Sequence, residues 1–185
     1  MEKPEGDLRT RLQQAALALF RERGYDKTTA AAIAERTGVT ERTFFRHFPD
    51  KREVLFDGEA ILGAALTKGL ADAPAGLGPL DALFAAFQSV VDLLEQNRPF
   101  SKPRHDVIAS TPALHEREIA KLHALTDVLA GALKERGVPE LSAALAARTG
   151  MAAFAYATVA WLADPHPGLS ERIDLSYREL KLLVR

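Results

Sequence analysis

Apolar positions recur along this chain at three- and four-residue spacing almost from end to end, which is the period of a helical face rather than of a strand. Leu12, Ala15, Ala16, Leu19 and Phe20 form a first stripe, and Gly24 can take the left-handed conformation that closes such a helix. Thr28 and Thr29 offer N-caps for a second helix over residues 30–37, with Ile33 and Ala34 facing inward. Gly38 interrupts it, and Thr40 caps a short third helix that stops before Pro49. Asp50 with Glu53 three residues on makes a capping pair, which predicts a fourth helix over about 50–71 carrying Val54, Leu55, Ile61 and Leu62. The run Ala73-Pro-Ala-Gly-Leu-Gly-Pro79 predicts a turn before a fifth helix over about 80–96. Pro99 and Pro103 predict another break, then a short piece near 104–109. A long helix from Pro112 to about Arg136, stopped by Gly137, then helices over 140–163 and 169–184, complete the pattern. Residues 154–161 alternate like a strand, but their alanines and their place inside a longer helical period assign them to helix. The expected fold class is all-α, with about nine helices, no strand and no internal repeat.

The second and third helices are joined by little more than Gly38-Val39. So short a turn containing glycine sets two helices at a steep angle, the geometry of a helix-turn-helix. Val39 is expected to bury within that turn against Ile33 and Leu19. Two turns of third helix are about 12 Å long, a length that lies within one stretch of DNA major groove. Thr40, Arg42, Thr43, Arg46 and His47 supply the hydrogen-bonding groups that meet phosphates and base edges. Phe44 and Phe48 are expected to pin the helix to the core. Thr29 and Lys51 stand at the expected starts of the second and fourth helices, where free N–H groups can accept a phosphate.

Residues 29–55, Thr-Ala-Ala-Ala-Ile-Ala-Glu-Arg-Thr-Gly-Val-Thr-Glu-Arg-Thr-Phe-Phe-Arg-His-Phe-Pro-Asp-Lys-Arg-Glu-Val-Leu, resemble the N-terminal domain of TetR-type transcriptional regulators. With the first helix the resemblance covers about residues 8–56. It implies a helix-turn-helix DNA-binding domain over residues 1–49 and a helical ligand-binding and dimerisation domain over 50–185, with helix 50–71 linking the two. By the same resemblance Thr29, Thr40, His47 and Lys51 would hold phosphates, Arg42 and Thr43 would reach base edges, and Phe45 and Arg46 would share that surface. The sequence departs from the family pattern twice. Arg42 stands where glycine is usual and Phe45 where tyrosine is usual, so the phenol contact to a phosphate is absent. Glu41-Arg-Thr-Phe-Phe-Arg46 reads as the mark of a subgroup. The implied protein is a ligand-responsive cytoplasmic repressor. It would bind a palindromic operator on double-stranded DNA as a homodimer and be released by a small, lipophilic effector.

The C-terminal two-thirds has no motif of that strength. Met151, Phe154, Tyr156, Val159 and Trp161 make one helix apolar on nearly all sides, which demands burial on more than one face. A dimer built from this helix and the last one, with Ile173, Leu175, Leu180, Leu182 and Leu183, meets that demand; completion of a monomer core is the alternative. The candidate effector-binding residues are Phe84, Phe87, Gln88, Val91, Phe100, His105, His123 and Phe154, with Leu94, Arg104, Ile108, Leu122, Leu125, Arg148 and Tyr156 as further candidates. Apolar residues in such a stripe are more often plain core than pocket lining.

Composition narrows the remaining classes. The chain has 185 residues and no cysteine, so disulfides, thiol nucleophiles and cysteine-held zinc are excluded. The leading Met-Glu-Lys-Pro-Glu-Gly-Asp has no apolar core, so no signal peptide is expected, and no apolar run reaches the roughly 20 residues of a membrane span. Net charge is −1, but residues 1–56 hold 11 Lys/Arg against 9 Asp/Glu while the remainder is acidic, a mild polarity along the chain. His115 and Glu118 share a helix face, yet His-Glu-Arg-Glu is not the His-Glu-x-x-His zinc pattern, and a solvated charged face is expected instead. No metal and no cofactor are expected. An enzyme would need His105, Asp106, His115 or His123 to converge, and no spacing demands it. An adaptor packing on proteins would favour acidic residues where the sequence has Arg42, Arg46, Lys51 and Arg52.

Overall fold

The computed structural model describes residues 5–183, with side chains from residue 8 onward. The leading residues 1–4 and Val184, the expected end of the last helix, lie outside the described residues. The elements are α1 (Glu5–Arg23), α2 (Ala30–Arg36), α3 (Glu41–His47), a 3-10 turn (Glu53–Leu55), α4 (Glu59–Asp72), α5 (Pro79–Ser89), α6 (Val91–Ala109), α7 (Pro112–Glu135), α8 (Glu140–Ala163) and α9 (Leu169–Leu183). Among the described residues there are nine α-helices and no strand, and residues 154–161 lie within α8.

The fourth helix starts later than expected. Asp50 does act as a cap, its Oδ1 accepting from the amides of Arg52 (2.7 Å) and Glu53 (3.1 Å). The cap opens only the 3-10 turn, and Val54 and Leu55 of that turn are buried with Phe56 after it. Gly58 then separates the turn from α4, and Ile61, expected on an inward face, is exposed.

The second departure is at the prolines. The break falls at Val90, with φ −102° and ψ 3°, and α6 runs unbroken through Pro99 and Pro103. Each proline removes one N–H, leaving the carbonyls of Glu95 and Pro99 without their helical donors. Both of those residues are exposed, and a solvent-facing carbonyl can be satisfied by water. Val90 and Val91 are buried, so the corner between α5 and α6 is held by core packing.

The chain divides into two compact units, Met1–Glu59 with Pro103–Glu118, and Ala60–Lys102 with Ile119–Arg185. In the first, Leu12, Leu19, Phe20, Ile33, Phe44, Phe48, Leu55 and Phe56 are buried together with Ile108 and Leu114. Charged side chains stitch this unit: Arg9 Nε donates to Asp57 at 2.6 Å, Arg117 pairs with Glu53 at 2.8 Å, and Arg104 pairs with Glu118 at 3.2 Å. In the second, Leu66, Leu70, Leu83, Phe84, Phe87, Leu129, Leu133, Met151, Phe154, Trp161 and Ile173 form one core. Gly69 lets α4 approach α5, since a Cβ there would stand 3.2 Å from Ala86 Cα. Of the all-round apolar face expected on α8, Met151, Phe154 and Trp161 are buried, whereas Tyr156 is 74% exposed and Val159 46%.

Candidate nucleic-acid interface

The turn between α2 and α3 is built by local chemistry. Gly38 has φ +73°, a conformation that costs an L side chain strain. The amide of Val39 donates to Ala34 O (3.0 Å) and that of Gly38 to Glu35 O (3.0 Å), the paired bonds that terminate a helix with a left-handed residue. The Thr37 hydroxyl is buried and donates to Ala34 O at 2.9 Å, while Arg11 donates to Thr37 O at 2.6 Å, tying α1 to the turn. Val39 is half-buried.

Caps then fix both helix starts. Thr29 is exposed, and its hydroxyl accepts from the Ala32 amide at 3.1 Å. Thr28, the other candidate cap, is buried and donates instead to Gly24 O (2.9 Å) and Leu19 O (3.3 Å). Thr40 accepts from the Thr43 amide at 3.2 Å, and the two hydroxyls lie 3.0 Å apart. Phe44 and Phe48, with ring centroids 5.7 Å apart, are fully buried and hold α3 by one side. That leaves Glu41, Arg42, Phe45 and Arg46 exposed and Thr43 half-buried. No ion pair to a described residue engages Arg42 or Arg46. His47 is half-buried, and its Nε2 meets no hydrogen-bonding partner among the described residues.

Lys51 has an additional role that the sequence did not announce. Its ammonium donates to Tyr25 O (2.8 Å) and Thr28 O (2.9 Å) and lies 4.1 Å from the centre of the Tyr25 ring. It therefore closes the loop between α1 and α2, with one N–H left over. Next to it, burial works against ionisation of Asp50, but the hydrogen bond from Arg52 and the amides of Glu53 and Arg52 outweigh it and hold the carboxyl below its ordinary value. Burial pushes the Tyr25 phenol up.

The second unit sorts the candidate effector-binding residues differently. Phe87 stacks on Phe154 (centroids 4.4 Å apart), Phe84 stacks on Tyr177 (4.3 Å), and these rings and Val91 belong to the closed core. The Gln88 amide donates to Ser170 O (3.0 Å) and Asp174 Oδ1 (2.7 Å), fastening α5 to α9. Phe100 and His105 are half-buried on α6, His105 within the first unit. His123 lines a groove of about 520 Å³ between α7 and α8, together with Ile119, Leu122, Thr126, Asp127, Arg148, Met151, Ala152 and Ala155. Leu122, His123 and Arg148 were among the sequence candidates, whereas Leu94 and Leu125 do not line the groove and Arg104 and Ile108 lie in the first unit. The alanines were not among the candidates, because alanine at helical spacing looks the same on a groove wall as in a core. Among the described residues no three His, Asp or Glu side chains converge as metal ligands. Glu118 is not part of a solvated charged face, since it pairs with Arg104 in half-buried surroundings.

Two family models match the chain. One, described as bacterial regulatory proteins of the tetR family, covers residues 12–57, and one described as the MftR C-terminal domain covers residues 77–183. The HTH-type transcriptional regulator TcmR of Streptomyces glaucescens is 42% identical over 83 residues, 45% of this chain and 37% of TcmR, so the match spans little more than a third of that relative. The crystal structure of Thermus thermophilus FadR, a TetR family transcriptional repressor in complex with lauroyl-CoA, superposes with a TM-score of 0.61 at 28% identity, covering 94% of this chain and 93% of that one. SmeT, the repressor of the Stenotrophomonas maltophilia multidrug efflux pump SmeDEF, shares the fold with a TM-score of 0.65 at 20% identity, over 95% and 89% of the two chains.

Proposed function

The chain belongs to the tetR family of bacterial regulatory proteins, and on that basis we propose that it is a ligand-responsive transcriptional repressor. It binds a palindromic operator as a cytoplasmic homodimer and leaves it when a small lipophilic effector occupies the C-terminal domain. The observation that carries this reading is the outward face of α3: Arg42 and Arg46 are exposed on a helix that Phe44 and Phe48 fasten from behind. In this proposal residues 1–49 are the DNA-binding domain and 50–185 the effector-binding and dimerisation domain. Arg42 and Thr43 read base edges, Thr29, Thr40, His47 and the remaining N–H of Lys51 hold phosphates, and Phe45 and Arg46 complete the surface. In this proposal the Glu41-Arg-Thr-Phe-Phe-Arg46 helix is the mark of a subgroup of the family.

The remaining parts rest on the second unit. Leu141, Leu145, Tyr156 and Val159 on α8 and Leu175 and Leu182 on α9 are exposed apolar side chains, enough to supply a two-fold interface. In this proposal the two-fold dimer holds its two copies of α3 about 34–36 Å apart, one DNA turn. The groove beside α7 joins apolar walls to Arg148 and His123, a lining suited to an amphipathic molecule, and FadR of Thermus thermophilus holds lauroyl-CoA. An effector displaces the operator only as far as it prefers the form that does not hold DNA, since equal affinity for both forms shifts nothing. Among the described residues no helix is long and apolar enough to cross a membrane.

The test is a fluorescence-polarisation titration of the full chain on the intergenic duplex upstream of its own gene, against a scrambled duplex at moderate salt. Tighter binding to the intergenic duplex, reversed by long-chain acyl-CoA, supports the proposal. Equal affinity for both duplexes refutes it.

A further inference from the structure

Among the described residues of the first unit, one large apolar side chain stands exposed: Phe45, at 49%. It lies on α3, where the fold spends its other two phenylalanines, Phe44 and Phe48, on the core. Its ring meets Phe44 edge-on, with centroids 5.4 Å apart and planes at 88°, so a buried neighbour sets its direction. On either side along the exposed face are Arg42, three residues before, and Arg46, one residue after. An apolar ring in the middle of a cationic face cannot contact a phosphate by hydrogen bond, nor read the donors and acceptors of a base edge. The one apolar feature the major groove offers is the C5-methyl group of thymine. We propose that Phe45 is a specificity-determining residue that reads a thymine methyl in each operator half-site.

The proposal rests on the reading that α3 enters the major groove, and it adds a position in the sequence being read. Residues three apart on a helix rise by about 4.5 Å, little more than one 3.4 Å base-pair step. The thymine therefore lies one or two steps from the base pair that Arg42 contacts.

In the experiment, the full chain selects binding sequences from a random duplex library. The enriched duplex is then resynthesised with deoxyuridine replacing thymidine at one position at a time, symmetrically in both half-sites. Deoxyuridine pairs as thymidine does and differs only by the missing methyl. Burial of one methyl-sized group corresponds to about 4-fold in affinity per half-site. With both half-sites changed, the wild-type chain should lose that factor twice, about 16-fold in all, at one thymine near the Arg42 position and almost nothing elsewhere. Phe45→Ala should bind the thymidine duplex more weakly and no longer distinguish it from the deoxyuridine duplex, while Phe45→Leu should keep part of the discrimination. Because the ring is half exposed, both variants are expected to retain the wild-type circular-dichroism spectrum and unfolding midpoint. Wild-type binding indifferent to every deoxyuridine, or a Phe45→Ala variant with the wild-type ratio, overturns the proposal. A selection that enriches no sequence instead removes the DNA-reading function on which it depends.

Discussion

Arg104 offers the most demanding test of how the first unit is held together. Its side chain, on α6, is only 19% exposed. The guanidinium donates to the Leu55 carbonyl, lies 3.2 Å from Glu118 and 3.6 Å from Glu59, and sits 5.1 Å from the Phe56 ring. Arg104→Met keeps an apolar stem of similar reach and removes every one of these polar contacts. Glu118, 20% exposed, then loses its cation. Removing one partner of a fully buried pair typically costs 3–5 kcal/mol, and the partial exposure here reduces that to about 1–2 kcal/mol. The Leu55 carbonyl left without its donor adds roughly 1 kcal/mol. The expected loss is therefore about 2–3 kcal/mol, several degrees to more than ten in midpoint for a unit of this size. The assay is a double-mutant cycle of Arg104→Met and Glu118→Gln, read by urea unfolding with circular dichroism and by amide exchange in residues 53–59. Contact between the two side chains predicts a coupling energy of about 1–2 kcal/mol. Additive single mutants, or an Arg104→Met protein within about 0.5 kcal/mol of wild type, would show that this cluster does not hold the unit.

Three further outcomes are expected. Gly69→Ala should lower the urea midpoint by the equivalent of about 1 kcal/mol, because crowding against Ala86 and Ser89 outweighs the gain in helix propensity; adding Ser89→Ala should recover part of it. The hydrogen bond from Tyr177 holds the Asp81 carboxyl below its ordinary value. Its stabilisation is thus present above the unfolded value near 3.9 and is lost as pH falls through the folded one, so Asp81→Asn should flatten unfolding midpoints only below about pH 4. With the Asp81 side chain 44% exposed, that difference should stay under about 1 kcal/mol. Arg42→Ala should weaken binding to the operator by about 10–100-fold and binding to scrambled DNA far less; equal losses would make Arg42 a phosphate contact.

What the sequence revealed depended on how local the determining chemistry was. The turn at Gly38-Val39 and the caps at Thr29 and Thr40 are made from residues within five positions of one another, and each appears in the structure as its pattern predicts. Asp50 and Glu53 carry a correct capping signature, yet the helix it announced is replaced by a 3-10 turn. The signature marks where a helical turn starts and not how far it runs: Val54, Leu55 and Phe56 are buried at the end of a single turn, and Gly58 follows before α4. Pro99 and Pro103 mislead for a related reason: a proline's effect depends on whether the orphaned carbonyl faces solvent. Lys51 reaches back 26 residues to Tyr25 O, and no periodicity reports such a contact. The effector site was least legible. Phe84, Phe87 and Phe154 have the composition of a pocket wall, but Phe87 stacks on Phe154, Phe84 stacks on Tyr177, and Phe84 meets Phe87 edge-on, and only packing geometry separates core from pocket.

The proposed function depends above all on two symmetry-related copies of α3 occupying successive major grooves. Dimethyl sulfate methylates guanine N7, which is exposed in the major groove, so protection from it reports that occupancy directly. On its operator the full chain should protect guanines in two symmetric clusters one DNA turn apart, about 10 base pairs, and Arg42→Ala should lose the protection at one guanine of each cluster. Bound DNA whose guanine N7 positions stay uniformly reactive would be incompatible with α3 lying in the groove.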